Sequence, residues 1–283
     1  MFTTLISTAQ LAAELATPNW IIIDCRFTLT DSDAGRLAYA ASHIPDARYA
    51  HLDQDLSSPV TPQTGRHPLP NPQTLCDTLA KWGIGNSTQV VVYDDSFGSM
   101  AVRLWWLLRW LGHQNVALLD GGLPKWTREK RPMSDTPSTI TPQLFNCTPD
   151  PSRYVSADDV ATMRQSATHR LIDARPEQRF SGEREPIDAV AGHIPGALNW
   201  VFEENLDMDG TYLPSVELRE NYLRLMDGVA PQDVIHTCGS GVTACHNILA
   251  MEVAGLSGSR LYPGSWSEWI TDPTRPVATG EVA

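Results

Sequence analysis

The sequence predicts an α/β protein of two tandem domains, each a parallel sheet flanked by helices. Three observations predict it. Short apolar, β-branched runs alternate with stretches of helical character along the chain, the order expected when helices cover both faces of a parallel sheet. The second half repeats the first: Leu171-Ile172-Asp173-Ala174-Arg175 answers Ile22-Ile23-Asp24-Cys25-Arg26, and His193-Ile194-Pro195-Gly196-Ala197 answers His43-Ile44-Pro45-Asp46-Ala47. Asp24, His43 and Trp126 recur 149, 150 and 143 residues later as Asp173, His193 and Trp269, and a near-constant offset marks a duplicated domain. Between the copies, Thr127 to Arg153 carries Pro132, Pro137, Pro142, Pro149 and Pro151 and reads as an extended, semi-rigid linker. The expected domains are therefore 1–130 and 153–283, joined by 131–152.

Each element follows from local signals. Ser7 with Gln10 forms a capping box that opens a helix to about Ala16. Trp20 to Arg26 is an apolar run closed by a charged tip, as in a central parallel strand. A polar stretch leads to His43, and Leu56 to Asn71 is irregular and rich in proline. Asn71 caps a helix with Pro72 at its first position, stopped by Gly83. Val90 to Asp94 is a strand, Ser99 to Leu111 a helix, and Val116 to Leu119 a strand. In the second half Ser156 opens a helix, Leu171 to Arg175 is a strand, and Ser215 caps a helix that ends at Gly228. Val234 to Thr237 is the next strand, followed by a helix to near Gly255 and a short strand at Leu261. Trp105, Trp106 and Trp110 stand at helical spacing and are expected in the core. His43 and His193, and likewise Arg26 and Arg175, occur at the same place in both halves, which points to fold determinants.

Composition narrows the function classes. The chain has 283 residues, 42% of them hydrophobic, enough for two cores. A net charge of −12 disfavours nucleic acid or an anionic membrane surface as a partner. No apolar run is long enough to span a bilayer. Met1 to Ala16 has no basic residue ahead of its apolar positions and reads as an amphipathic helix, not a signal peptide. The five cysteines are odd in number and lack metal-ligand spacing, so neither a metal nor a cofactor is expected, and a reducing cytoplasm fits best.

The chemistry is expected in Cys238-Gly239-Ser240-Gly241-Val242-Thr243, between a strand and a helix. A strand that delivers a cysteine to the start of a helix aims free N–H groups at the sulfur and favours the nucleophilic thiolate. Gly239 and Gly241 let the backbone curl closely around it. A cysteine phosphatase needs an arginine six positions on, where this chain has Ala244. A phosphate-binding loop would end in Gly-Lys-Ser or Gly-Lys-Thr, and no lysine is near. Taken bare, the less favoured reading of Cys238 is a buried structural cysteine.

The loop resembles the active-site loop of the rhodanese superfamily, in the Cys-Gly-Ser-Gly-Val-Thr form typical of 3-mercaptopyruvate sulfurtransferases. The duplicated, two-domain plan is similar to that family over nearly the whole chain. The resemblance implies two rhodanese-like domains, with Cys238 as a nucleophile that takes sulfur as a persulfide and the amides of Gly239, Gly241, Val242 and Thr243 holding the anion. The donor would be 3-mercaptopyruvate and the acceptor a thiol or cyanide, with a thioredoxin-type reductant as a candidate partner. Thiosulfate is the alternative donor, although Gly239 and Ser240 replace the Arg and Lys more usual in the thiosulfate-preferring branch. A persulfide carrier for a partner protein is the other alternative. Arg179 matches the position that grips the donor carboxylate, while Ile187 and Asp188 occupy the region of a second family arginine. Arg184 is the nearby substitute. Ser240, His67 and Asp53 match a Ser-His-Asp relay for protons. Read bare, Arg179 is a surface ion pair and His67 and Asp53 are solvated loop residues. Alignment of the halves sets Asp94 opposite Cys238, so the first domain is expected to be catalytically silent. Cys245, about two turns beyond Cys238, is expected to be a packed residue.

Overall fold

The apolar runs become the inner strands of two parallel sheets. The computed structural model describes residues 1–280. It divides into a first unit of 1–58, 70–150 and 208–212 and a second of 59–69, 151–207 and 213–283. Each unit thus includes a segment from the other half of the sequence.

In the first unit the chain runs through β1 (Leu5–Ile6), α1 (Thr8–Glu14), β2 (Trp20–Asp24), α2 (Ala34–Ala41), β3 (Arg48–Tyr49), α3 (Pro72–Lys81), β4 (Gln89–Tyr93), α4 (Ala101–Trp110), β5 (Val116–Leu119) and α5 (Gly122–Arg128). The strand order is β1-β5-β4-β2-β3, and every neighbouring pair is parallel. The Ser7–Gln10 capping box forms, and Asn71 accepts the N–H groups of Gln73 and Thr74 at the start of α3. In α4 the three tryptophans are buried, as their spacing predicts. The stretch read only as polar contains α2. Its alanines favour a helix, but the helix is short, Gly35 is its one fully buried residue and Leu37 is left exposed, so its apolar residues are a weak signal.

The second unit contains α6 (Ala157–Met163), β6 (Arg170–Asp173), α7 (Glu177–Phe180), β7 (Ala197–Asn199), α8 (Ser215–Met226), β8 (Val234–Thr237), α9 (Ala244–Val253), β9 (Arg260–Leu261) and α10 (Ser265–Trp269). Its order is β7-β6-β8-β9, again all parallel. Leu171, Phe180, Ile235, Trp266 and Trp269 lie in its core. Pro214, not Ser215, takes the cap of α8, because Ser215 is already helical and the fixed φ of proline suits the entry.

The repeated residues repeat their contacts. Arg26 Nη2 bonds Asp24 Oδ2 at 2.6 Å and Ser42 O at 2.7 Å, and Arg175 Nη2 bonds Asp173 Oδ2 and Gly192 O, both at 2.8 Å. His43 exchanges two backbone hydrogen bonds with Ser134, and His193 does so with Ala278. The indole N–H groups of Trp126 and Trp269 donate to Pro132 O and Pro276 O, each at 2.9 Å. These residues hold each unit together, as their recurrence in both halves predicts.

The proline-rich segment up to Asp150 packs with the first unit. Gln143 N–H donates to Ala80 O at 3.0 Å and Thr148 N–H to Leu111 O at 2.9 Å. Cys147 forms a disulfide with Cys76 of α3, a pairing that the cysteine spacing did not reveal. Cys25, Cys238 and Cys245 are free.

Candidate active site

β8 delivers Cys238 to its carboxyl end, and α9 opens five residues past Gly239, with Thr243 at its cap. The loop is fastened to the turn that starts α10. Cys238 N–H donates to Ser265 Oγ at 3.1 Å, Trp266 N–H donates to Cys238 O at 3.0 Å, and Ser267 N–H donates to Gly239 O at 2.9 Å. The Gly241 N–H points at the Cys238 sulfur at 3.2 Å. Gly241 has φ +74°, and a Cβ there would lie 2.2 Å from Pro263 O, so the turn that aims this amide requires glycine. Val242 is buried. Cys245 is buried too, and its thiol donates to Gly241 O at 3.5 Å, a packing role without a bond to Cys238.

Ser240 Oγ stands 2.7 Å from His67 Nδ1, and both side chains are buried. The 59–69 strap brings His67 there, held against α10. Arg66 N–H donates to Ser267 Oγ at 3.0 Å, and at Gly65 a Cβ would sit 2.5 Å from Gly264 O, which leaves room only for glycine. The structure therefore gathers Cys238, Gly239, Ser240, Gly241, Val242, Thr243, His67 and Arg179 into the second unit. Asp53 belongs to the first unit, where it is exposed in the turn after β3 and its N–H donates to His51 Nδ1 at 3.1 Å.

Arg179 projects from α7 into a cluster of charges. Its Nε bonds both Glu185 oxygens, at 3.1 and 3.0 Å, and its Nη2 bonds Asp188 Oδ2 at 2.8 Å. Burial pushes the Glu185 carboxyl up, but Arg179 and the Asp188 and Ile187 amides outweigh it and hold the group below the usual carboxylate range. Arg66 pairs with the other oxygen of Asp188. Arg184 is exposed, and its backbone N–H donates to Gln178 O. Arg66 is the residue that sequence reasoning missed. Its place beside His67 in the chain was the available signal.

The corresponding loop of the first unit is filled differently. The Asp94 carboxylate accepts the N–H groups of Ser96, Gly98, Met100 and Ala101 at 2.8 to 2.9 Å. Burial pushes its pKa up in spite of these four bonds. Cys25 also lies in this unit; burial, with Asp24, Asp94 and Asp55 nearby, pushes its thiol well up and keeps it protonated. A cavity of about 540 Å³ in the second unit, lined by Arg170, Leu198, Trp200 and Arg224 among others, shares no residue with the Cys238 loop. No helix among the described residues is long and apolar enough to cross a membrane.

Known proteins match this architecture throughout. A rhodanese-like domain matches residues 7–129 and again 156–272. The chain is 47% identical to a probable 3-mercaptopyruvate sulfurtransferase of Pseudomonas aeruginosa, with 98% of each chain covered. It is 40% identical to the putative thiosulfate sulfurtransferase SseB of Mycobacterium tuberculosis, covering 98% of this chain and 97% of that one. Among solved structures, the 3-mercaptopyruvate sulfotransferase SseA of Escherichia coli matches with a TM-score of 0.81 at 31% identity, covering 94% of this chain and 100% of that one. The chain belongs to the rhodanese family and carries two copies of its domain.

Proposed function

We propose that the protein is a sulfurtransferase that moves sulfur from 3-mercaptopyruvate to a thiol or cyanide through a persulfide on Cys238. The Cys238 thiolate attacks the donor sulfur, the C–S bond breaks, and its electron pair stays on the donor carbon as the enolate of pyruvate. The proton of the donor thiol ends on that carbon, leaving a Cys238 persulfide anion and pyruvate. In the second step cyanide attacks the outer sulfur, the S–S bond breaks, and thiocyanate leaves with the thiolate restored. A dithiol of the thioredoxin type would instead take the sulfur and release it as sulfide on forming its own disulfide. Covalent catalysis of this kind predicts ping-pong kinetics. The Gly241 amide would stabilise the anionic sulfur in both steps.

The observation that carries the choice of donor is the 2.7 Å contact between Ser240 Oγ and His67 Nδ1. An enolate must be protonated to become pyruvate, whereas thiosulfate releases sulfite and needs no proton. A buried hydroxyl two residues from the nucleophile and the buried imidazole it touches are the groups required for the first reaction and idle in the second. The second reading, thiosulfate as donor, draws support from Arg66 and Arg179, which supply the cationic side chains that Gly239 and Ser240 lack.

The test is thiocyanate formation from cyanide with each donor on the same protein. A higher kcat/KM for 3-mercaptopyruvate is expected. A preference for thiosulfate would overturn the choice of donor, and turnover with neither would overturn catalysis with small donors.

A further inference from the structure

We propose that Ser265 is a positioning residue, held in a strained backbone conformation so that its hydroxyl fixes the peptide of Cys238 and aims the sulfur at the Gly241 amide. The proposal rests on the reading of Cys238 as the nucleophile. A comparison of the two halves points to it. Gly122 stands 143 residues before Ser265, the offset that separates Trp126 from Trp269. In the first unit the turn that opens α5 puts Gly122 at φ +57°, and a Cβ there would lie 2.8 Å from Asp94 O. In the second unit the turn that opens α10 has nearly the same left-handed φ, +53°, on a serine.

Glycine reaches that region freely, whereas a residue with a Cβ does so at a cost in strain. Six non-glycine residues among those described have positive φ, and five of them, Asn19, Asp46, Phe97, Lys130 and Asp227, are exposed. Ser265 is the one that is fully buried. A costly conformation, kept at a buried position where the other unit uses glycine, points to a need for the side chain.

The hydroxyl makes two bonds, and their directions define the role. Ser265 Oγ donates to Tyr262 O at 2.8 Å and accepts the Cys238 N–H at 3.1 Å. Its proton is committed to Tyr262, so it offers a lone pair to the peptide of the nucleophile and has no proton to give to the sulfur. Tyr262 is itself tied to β8, two residues before the nucleophile, by donating its N–H to His236 O at 2.9 Å. The Cys238 carbonyl accepts from Trp266 at 3.0 Å, as the Asp94 carbonyl accepts from Leu123 at 2.8 Å in the first unit. The carbonyl contact is thus common to both units, while the contact to the N–H needs a hydroxyl that Gly122 lacks. With both polar groups of its peptide held, Cys238 has a fixed backbone, and only side-chain rotation remains to set the sulfur 3.2 Å from the Gly241 N. Cys238 is buried. Without the hydroxyl its N–H would lose this acceptor away from water, and the peptide would turn to find another.

Two variants separate the hydroxyl from the strain. Ser265→Gly removes both and installs the residue that the first unit carries, whereas Ser265→Ala removes the hydroxyl and keeps the strain. Ser265→Gly should therefore unfold at a higher urea concentration than Ser265→Ala. Both should nonetheless lose kcat/KM about ten-fold with 3-mercaptopyruvate and in equal proportion with thiosulfate, because the change lies in the nucleophile and not in the fit of either donor. The rate at which iodoacetamide alkylates Cys238, followed by peptide mass mapping, should fall about ten-fold in both variants, and this measurement needs no donor. Reactivity that ranks with stability, with Ser265→Gly near wild type and only Ser265→Ala impaired, would overturn the proposal and leave a serine that merely packs. An alkylation rate in Ser265→Gly within two-fold of wild type or above it would overturn it too, as would a loss confined to one donor. If the wild-type protein turns over neither donor, slower alkylation in Ser265→Gly would keep the positioning role and remove the sulfurtransferase reading. Ser265→Gly decides by itself if Ser265→Ala does not fold.

Discussion

A sulfur and a carboxylate occupy corresponding loops in the two halves of the molecule, and the comparison explains what each loop favours. Four backbone amides converge on Asp94, while the Gly241 amide donates to the Cys238 sulfur. A strand-to-helix loop in this fold thus offers amides to an anion, and a sulfur anion suits it as a carboxylate does. Asp94 cannot carry sulfur, which supports reading the first half as a copy without that role. At the nucleophile, the neighbour that matters next is Ser240. Ser240→Ala should lower kcat with 3-mercaptopyruvate about a hundred-fold, since it interrupts proton delivery to the enolate. Turnover with thiosulfate should stay within a few-fold of wild type because sulfite leaves unprotonated. Equal losses with both donors would show that Ser240 only shapes the loop.

Two elements, β8 and α9, position that loop, and a histidine is buried where they meet. His236 of β8 places Nε2 3.1 Å from Met251 Sδ of α9, and its Nδ1 has no hydrogen-bond partner among the described residues. Burial pushes its pKa down to about 3. The folded state therefore keeps this ring neutral while the unfolded chain protonates it below about 6.5. The unfolded state binds more protons between those two values, so stability is full above about pH 6.5 and falls as the pH drops towards 3. The loss from this group should reach about 1.4 kcal/mol per pH unit. Urea denaturation at pH 7.5 and 4.5 checks it: wild type should lose about 3 kcal/mol more than His236→Leu. Equal losses in the two proteins would place the acid sensitivity elsewhere.

For the molecule as a whole, the duplicated plan decides more than the single domain does. Residues 59–69 belong to the second unit and 208–212 to the first, and these segments start 149 residues apart, the same offset as Asp24 and Asp173. The Cys76–Cys147 disulfide closes a stretch of 71 residues and ties the proline-rich segment to α3. A cross-link over that span restricts the unfolded chain by about 4 kcal/mol. The double variant Cys76→Ala, Cys147→Ala should unfold at correspondingly lower urea concentration, and dithiothreitol should shift wild type towards it but leave the variant unmoved. Unchanged stability in the variant would mean that the bond constrains little. What the sequence by itself determined was local or repeated. The Ser7–Gln10 capping box, the strands up to Asp24 and Thr237, the Cys238 loop and the duplication were legible because hydrophobic period, caps and glycines act within a few residues, and a repeat needs only comparison of the chain with itself. The tertiary structure decided the partners drawn from far along the chain. His67 meets Ser240 across 173 residues, Arg66 meets Ser267 across 201 and Asp188 across 122. No local pattern encodes such pairings, because they depend on which unit an irregular, proline-rich strap packs against, and that is settled by close packing at Gly65 and the hydrogen bonds of α10.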